Sequence, residues 1–297
     1  MVGQNIISTA PEGYKLFTPP RKELDLLNYS NVIEYLNQNK PDIILHAAGV
    51  VGGIQANIKE PVRFLVENID IGRNLVMAAY NLQITKILNL GTSCMYPKNI
   101  SNPLIEKDLF SGKLEPTNEG YAISKLFSQR LCEYINRENI IFNYKTIIPC
   151  NLYGHYDKFD VLNSHMIPSV IRRIHCAKIS GEGQINIWGD GNARREFMYA
   201  EDFADFIWFG IKHFNSLPNL MNVGIGFDYS ITEYYEMIKE IIGFSGDFNY
   251  DLSKPTGMQQ KLVDISHQTK LGWAPLTDTK TGIAQTYQYY LEDILDE

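Results

Sequence analysis

Short apolar runs alternate with longer amphipathic segments in the first half of the chain, and this alternation constrains the fold most. Asp42–Ala48 and Lys86–Leu90 are apolar on both faces, which is typical of parallel strands buried between layers of helices. Apolar residues at three- and four-residue spacing over Pro61–Leu82 and Tyr121–Asn136 predict helices between such strands. Strand–helix alternation of this kind predicts an α/β fold with a doubly wound parallel sheet.

Several weaker elements extend the same pattern. They are the strands Tyr14–Thr18, Tyr144–Pro149 and Met221–Ile225 and the helices Val32–Leu36, Ile231–Ile242 and Thr281–Leu291. After Tyr153 the loops lengthen, and basic and aromatic residues crowd together. We therefore predict a Rossmann-like domain over residues 1–160 and 196–224 and a smaller α/β substrate domain over residues 161–195 and 225–297. The smaller domain would close over the carboxyl edge of the sheet, where ligands bind in open α/β folds.

Charge and composition exclude some functions. The net charge of the 297 residues is -7, which argues against nucleic acid as the main partner. No apolar run approaches the ~18 residues of a membrane span. The cysteines have no Cys-x-x-Cys pairing and no metal-ligand spacing, so we expect no metal and a cytoplasmic location with reduced thiols. They are Cys94, Cys132, Cys150 and Cys176.

The first chemical motif is Tyr121-Ala-Ile-Ser-Lys125. Tyrosine and lysine four residues apart lie on one face of a helix. An ammonium beside a phenol favours the phenolate, so we expect the pKa of Tyr121 to fall toward neutrality. Such a phenol can exchange a proton with a carbonyl oxygen while a hydride is transferred.

Two other segments match the same spacing, and their context separates them from the first. Tyr250–Lys254 runs into Pro255, which disfavours a helix, and Tyr235–Lys239 has no polar strand end upstream. Tyr121 instead follows a strand that opens into Gly91-Thr-Ser-Cys94. The carboxyl end of that strand would bring Thr92 to the reacting oxygen. The combination of strand, hydroxyl loop and helix is much more specific than the spacing alone.

Together these motifs resemble the GDP-L-fucose synthase family of extended short-chain dehydrogenases/reductases. The resemblance runs in a consistent order from Met1 to about Leu291. The segments that carry it are Val51–Ile54, Gly91–Lys98, Leu114–Glu119, Tyr121–Lys125, Pro149–Gly154, Asn163–Pro168, Trp188–Phe197 and Ser253–Asp264.

The resemblance implies an NADPH-dependent enzyme that acts on GDP-4-keto-6-deoxy-mannose. Such enzymes epimerise C3 and C5 with a cysteine and a histidine, which match Cys94 and His165. They then reduce C4, giving GDP-L-fucose, with Tyr121 as proton donor and with Lys125 and Thr92 assisting. The family usually has serine where Thr92 stands, and threonine keeps the hydroxyl.

The resemblance also implies binding residues and a homodimer formed through Pro61–Leu82 and Tyr121–Asn136. Arg21 matches an arginine near the adenosine 2′-phosphate, which favours NADP over NAD. Guanidinium groups bind phosphate by paired hydrogen bonds, as expected for the substrate-side arginines, with Arg172 as a further candidate. The cofactor-binding residues implied are Gly3, Arg21, Ala47, Ala48, Asn68, Tyr121 and Lys125. The substrate-binding residues implied are Asn163, Arg173, Trp188, Arg195 and Lys261.

The amino terminus departs from the family pattern. A dinucleotide-binding fold opens with a strand and a Gly-rich turn, whereas this chain opens Met1-Val-Gly-Gln, and Gly3 matches the last glycine of the turn. The first strand is thus apparently truncated. One expectation is that it lies upstream of the given start. The other is a real truncation that binds NADP poorly.

Two alternative functions stay open at this point. Gly120 and Gly49-Val50 depart from the fucose-enzyme pattern, which favours a C4 reductase of a related GDP-4-keto sugar, such as a 6-deoxy-heptose, with or without epimerisation. The absent Gly-rich turn alone supports a truncated, non-catalytic homologue.

Overall fold

The fold is described by a computed structural model over residues 1–160, 164–254 and 257–295. The helices are α1 (Val2–Ser8), α2 (Tyr29–Asn39), α3 (Ile54–Lys59), α4 (Pro61–Asn81), α5 (Glu119–Glu138), α6 (Met166–Ser180), α7 (Ala200–Lys212), α8 (Ile231–Ile242), α9 (Ser266–Leu271) and α10 (Thr279–Tyr289). The strands are β1 (Ile44–His46), β2 (Lys86–Leu90), β3 (Asn143–Pro149), β4 (Asn151–Tyr153), β5 (Gln184–Trp188), β6 (Arg194–Arg195), β7 (Phe197–Tyr199), β8 (Leu220–Val223), β9 (Tyr229–Ser230), β10 (Asp247–Asp251) and β11 (Gln260–Lys261).

Four parallel strands form the main sheet in the order β1-β2-β3-β8. In its centre Leu88 of β2 pairs with Leu45 on one side and Lys145 on the other. Apolar residues of α2, α4 and α5 pack in one cluster with β1 and β2, and apolar residues of α7 belong to another cluster with β2, β3 and β8. Helices therefore cover both faces, which confirms the predicted α/β class with a parallel sheet.

One predicted strand is wrong. Tyr14–Thr18 contains no strand, and the side chains of Tyr14 and Leu16 are exposed. The Tyr14 ring packs against Trp208 instead, with 5.0 Å between centroids. An apolar run forms a strand only where a neighbour takes up its backbone hydrogen bonds, and none of the described strands pairs with this segment.

The second half of the chain builds smaller sheets around the carboxyl edge. Their strand orders are β10-β5, β11-β6-β9 and β4-β7. A hydrophobic cluster that includes Ile171, Tyr234 and Ile283 joins α6, α8 and α10. Helix α8 coincides with its predicted bounds, because Ser230 and Glu233 form a capping box and Gly243 ends the helix at φ 71. None of the helices in the described ranges is both long and apolar enough to cross a bilayer.

Candidate active site

The loop after β2 brings two predicted catalytic side chains to the carboxyl edge of the sheet. Thr92 caps a short 3₁₀ helix, Ser93–Met95, and its hydroxyl accepts the Cys94 N–H at 3.4 Å. Gly91 allows this turn, because a Cβ there would lie 2.9 Å from the Met95 sulfur. Thr92 and Cys94 are thus held by backbone geometry where the sequence predicts them.

Lys125 ties the Tyr121 helix to the end of β2. Its Nζ is buried and donates to the carbonyl oxygen of Leu90, the last residue of β2, at 3.0 Å. The same Nζ lies 5.9 Å from the centroid of the Tyr121 ring. Burial lowers the pKa of Lys125 to about 8. The bond to Leu90 fixes α5 against the strand end and places Tyr121 beside the Thr92–Cys94 loop.

The phenol of Tyr121 differs from the sequence prediction in its acidity. Burial raises the pKa of Tyr121 above its ordinary value, and the nearby Cys94 raises it further. The predicted lowering of the Tyr121 pKa by Lys125 is wrong, because desolvation of the phenolate outweighs the effect of an ammonium that donates to Leu90. Tyr121 is therefore a neutral phenol near pH 7, which is the state that a proton donor needs.

The sulfur of Cys94 lies between two nitrogen donors. Asn118 Nδ2 donates to it at 3.1 Å, and Lys261 Nζ lies 3.7 Å away. An amide and an ammonium both stabilise negative charge on sulfur. Lys261 was predicted on the substrate side, and the structure brings it to the thiol. Asn118 was not singled out, although it lies in the quoted motif Leu114–Glu119.

Arg195 joins this cluster through strand pairing. Lys261 of β11 stands opposite Arg195 of β6 in a parallel ladder. Burial lowers the pKa of the Arg195 guanidinium, while Cys94 and Glu115 act in the opposite direction. Two cationic residues predicted to contact the sugar nucleotide therefore lie near the Cys94 thiol.

Glu196 is a buried residue that sequence reasoning missed. Its Oε1 accepts the N–H groups of Ile225 and Gly226 at 2.7 and 2.9 Å, and its Oε2 accepts that of Val263 at 2.9 Å. Burial raises the pKa of Glu196 to about 7 in spite of these bonds. The carboxylate thereby ties β6, next to Arg195, to the end of β8 and to β11.

His165 lies at the start of α6 and faces Asp157. The distance from its Nδ1 to Asp157 Oδ1 is 3.5 Å. Asp157 is buried in the turn that follows β4 and was not predicted as a site residue. Only the tertiary fold brings these two residues together.

Three of the predicted cofactor-binding residues lie at or near the end of β1. Ala47 and Ala48 follow the strand directly, and Asn68 holds the next turn by accepting the Val50 N–H at 2.8 Å and donating to the Val50 carbonyl at 3.0 Å. Gly3 lies in the first turn of α1, where a Cβ would meet open space. Arg21 is exposed, 3.9 Å from Asp25.

Two further predicted substrate residues belong to β5 or contact it. Trp188 is exposed at the end of β5, and Lys254 lies over its ring at 5.8 Å. Arg173 donates to the Tyr235 hydroxyl at 2.9 Å and to the Asn186 carbonyl, so part of its guanidinium is already engaged. Asn163 lies outside the described residues.

A parallel sheet, a hydroxyl-bearing loop after β2 and the pairing of Tyr121 with the buried Lys125 define a dinucleotide-binding oxidoreductase of the short-chain dehydrogenase/reductase class. Comparison with known proteins narrows this class. A family profile described as the NAD dependent epimerase/dehydratase family matches residues 1–224. The chain belongs to this family.

Relatives and solved structures cover almost the whole chain. A protein named GDP-L-colitose synthase from Yersinia pseudotuberculosis is 54% identical, with 99% of this chain and 96% of the relative covered. A GDP-L-fucose synthase from Azorhizobium caulinodans is 47% identical, with 98% and 93% covered. The structure of MlghC, a GDP-mannoheptose C4 reductase from Campylobacter jejuni with NADP bound, is similar at 29% identity with a TM-score of 0.88, covering 98% and 95% of the two chains.

Proposed function

We propose that the chain epimerises C3 and C5 of a GDP-4-keto-6-deoxy sugar and then reduces C4 with NADPH, giving GDP-L-fucose. The observation that carries this proposal is that the Cys94 loop and the Tyr121 helix meet at the end of β2, where Lys125 donates to the Leu90 carbonyl at 3.0 Å. A group that can move a carbon-bound proton thus shares one site with a group that can protonate an oxygen. The 47% identical GDP-L-fucose synthase supports the same product.

The residues at the carboxyl edge fit NADP. A Cβ at Gly49 would lie 3.0 Å from Asn68 Oδ1 and 3.8 Å from Lys125 Nζ, so glycine keeps this edge clear for a ligand. We assign Gly3, Ala47 and Ala48 to the pyrophosphate side and Arg21 to the 2′-phosphate, with Asn68 shaping the turn. The NADP-bound GDP-mannoheptose C4 reductase supports this cofactor. When bound, NADPH supplies the hydride for C4.

The epimerisation half uses Cys94 and His165. The 4-keto group acidifies the C3 and C5 protons, because the electron pair of the broken C–H bond moves into the carbonyl as an enolate. We assign proton removal to Cys94, because Asn118 and Lys261 contact its sulfur and would stabilise negative charge on it. His165 delivers a proton to the opposite face, which restores the ketone and inverts the carbon.

The reduction half uses Tyr121, which is protonated near neutral pH and can donate to O4 as the carbonyl becomes an alcohol. We assign a second hydrogen bond to O4 to the Thr92 hydroxyl, which lies on the loop after β2. Lys125, with a pKa of about 8, is largely an ammonium at neutral pH and opposes the negative charge left on Tyr121.

GDP-L-colitose is a second candidate product, because the relative of that name is 54% identical. Colitose lacks the 3-hydroxyl of fucose, so its C3 is a methylene and only C5 would be inverted. The same thiol, imidazole and phenol serve both reactions. The choice between them depends on which keto sugar the site accepts.

Product analysis separates these functions. The protein is incubated with NADPH and either GDP-4-keto-6-deoxy-mannose or its 3-deoxy analogue, and the products are identified by NMR. GDP-L-fucose from the first substrate supports the main proposal, and turnover of only the second supports GDP-L-colitose. Turnover of neither, with turnover of a GDP-4-keto-heptose, would favour the C4 reductase. A folded protein that binds no NADPH would favour a non-catalytic homologue.

We also propose a homodimer that buries the outer face of α4 and α5. Val62, Val66, Ile123 and Tyr134 are exposed there, with Val62 at 72% of its full surface. A second copy of the same helix pair would cover these side chains in a four-helix seam. Cytoplasmic location is part of the proposal, because the Cys94 thiol stays reduced there. The two-domain division given above is retained as part of it.

A further inference from the structure

Asp157 and His165 face each other at the start of α6, and the proposed reaction gives Asp157 no role so far. Their closest atoms, Oδ1 of Asp157 and Nδ1 of His165, are 3.5 Å apart. The Asp157 side chain is 4% exposed, whereas that of His165 is 41% exposed. A buried carboxylate therefore stands behind an imidazole that solvent and substrate can reach.

Two polar atoms at this contact have no hydrogen-bond partner within the described residues. They are Nδ1 of His165 and Oδ2 of Asp157, and both are buried. The other carboxylate oxygen, Oδ1, accepts the Lys158 N–H at 2.9 Å, which fixes the plane of the carboxylate. Buried polar atoms are nearly always hydrogen-bonded, so these two atoms are unusual. A movement of about 0.5 Å by the half-exposed ring brings the pair to hydrogen-bonding distance.

The geometry also distinguishes the two nitrogens of the imidazole. Because Nδ1 is buried toward Asp157, the exposed part of the ring is the side that carries Nε2. A carboxylate accepts a proton from Nδ1–H, which leaves Nε2 as the nitrogen that gains and loses the catalytic proton. A carboxylate in this position also stabilises the imidazolium that forms.

We propose that Asp157 is a positioning residue for epimerisation: it holds the Nδ1–H tautomer of His165 and directs Nε2 toward the sugar. This inference rests on the proposed function, because the proton transfer by His165 belongs to it. Other charges near Asp157 are the Met1 amino group and the Lys158 ammonium, which also face this turn. Asp157 acts through His165 and does not itself touch the reacting carbons.

The test measures deuterium uptake from D₂O at C3 and C5 of GDP-4-keto-6-deoxy-mannose by the protein without NADPH. Asp157→Asn keeps the side-chain shape and removes the charge. We expect uptake to fall about 10- to 100-fold, as for loss of a group that assists an acid or base. The pH profile of uptake should also change, because Nδ1 of His165 then has no carboxylate beside it.

A double variant separates positioning from a structural role. In a His165→Asn background, Asp157→Asn should lower uptake no further, whereas a structural role would lower uptake in both backgrounds. The melting temperature and NADPH fluorescence titration report whether the variants are folded. If Asp157→Asn is unfolded, Asp157→Ser replaces it, because serine removes the charge and can still accept the Lys158 N–H.

The possible outcomes distinguish a failure of the role proposed for Asp157 from a failure of the proposed epimerase function. Unchanged uptake with an unchanged pH profile in a folded Asp157 variant would overturn the inference and leave the proposed function standing. Absence of uptake in the wild-type protein would instead overturn the epimerase function itself. We expect the wild-type protein to take up deuterium at both C3 and C5, and the His165→Asn variant to show the same uptake as the double variant.

Discussion

The Nζ of Lys261 lies 3.7 Å from the Sγ of Cys94, although 167 residues separate the two in sequence. Lys261 is buried in β11, and its amine approaches the thiol from the side of the sheet that also carries Arg195. A buried ammonium beside a thiol stabilises the thiolate. Lys261, which is predicted to bind substrate, would therefore also assist Cys94 in removing a proton from the sugar.

Replacing Lys261 tests this link. Lys261→Met keeps most of the apolar stem and removes the charge, and we expect deuterium uptake at C5 to fall about 10- to 100-fold, as for loss of a charge-assisted hydrogen bond. Lys270→Met is the matched control, because Lys270 is an exposed lysine at the end of α9. Equal uptake in both variants would show that the ammonium does not act on the thiol.

Replacing Tyr121 should separate reduction from epimerisation. In Tyr121→Phe, NADPH oxidation should fall about 10²- to 10⁴-fold, because O4 loses its proton donor. Deuterium uptake should persist, since Cys94 and His165 remain. Tyr250→Phe controls for loss of a hydroxyl at another Tyr-x-x-x-Lys match, where Tyr250 is partly exposed. Normal NADPH oxidation by Tyr121→Phe would refute the catalytic assignment.

The pKa of Glu196 predicts how stability varies with pH. Burial raises this pKa from 4.5 to about 7, so between these values the folded protein keeps a proton that the unfolded chain loses. The free energy of unfolding therefore falls as pH rises from about 4.5 to 7, by about 3 kcal/mol in all, and then levels off.

Urea unfolding at pH 5 and pH 8 checks this dependence. Glu196→Gln should show a smaller loss of stability over that range than the wild type, because glutamine does not titrate. Glu182→Gln, at an exposed position after α6, is the control and should behave as the wild type does. If the wild-type protein were equally stable at both pH values, and Glu196→Gln showed the same dependence as the wild type, the raised pKa of Glu196 would be contradicted.

The exposed apolar face of α4 and α5 predicts the oligomeric state. Light scattering should give the mass of two chains, and Val66→Glu should halve it, because a carboxylate would be buried in the seam. Ile179→Glu introduces the same charge at an exposed residue of α6 and should leave the dimer intact. If the wild-type protein had the mass of one chain, the proposed dimer through α4 and α5 would be contradicted.

The elements that the sequence predicts well are those whose pattern is local. β2 and α8 have their predicted bounds, and α4 and α5 begin and end within two residues of theirs, because apolar periodicity and capping act within a few residues. The strand predicted over Tyr14–Thr18 is wrong because a strand also needs a partner strand, and strand pairing depends on the whole fold. The same alternation of residues is compatible with an unpaired segment packed on Trp208.

The residues of the candidate site also fall into those that local motifs predict and those that only the tertiary fold reveals. The positions of Thr92, Cys94, Tyr121 and Lys125 follow from motifs within about 30 residues, and the structure gathers them at one edge. Asn118, Asp157 and Glu196 are not predicted, although two of them lie in segments that carry the resemblance, because the contacts of their side chains depend on residues far away in the sequence. The acidity of Tyr121 was misjudged for a related reason, since spacing shows that Lys125 is near but shows neither its bond to Leu90 nor the burial of the phenol.

One measurement tests the central claim, that a thiol and a phenol in one site epimerise and reduce the same sugar. The wild-type protein is incubated in D₂O with GDP-4-keto-6-deoxy-mannose and NADPH, and the product is analysed by NMR and mass spectrometry. The account predicts GDP-L-fucose with deuterium at both C3 and C5 and with hydrogen from NADPH at C4. A C4-reduced product that carries no solvent deuterium would contradict it.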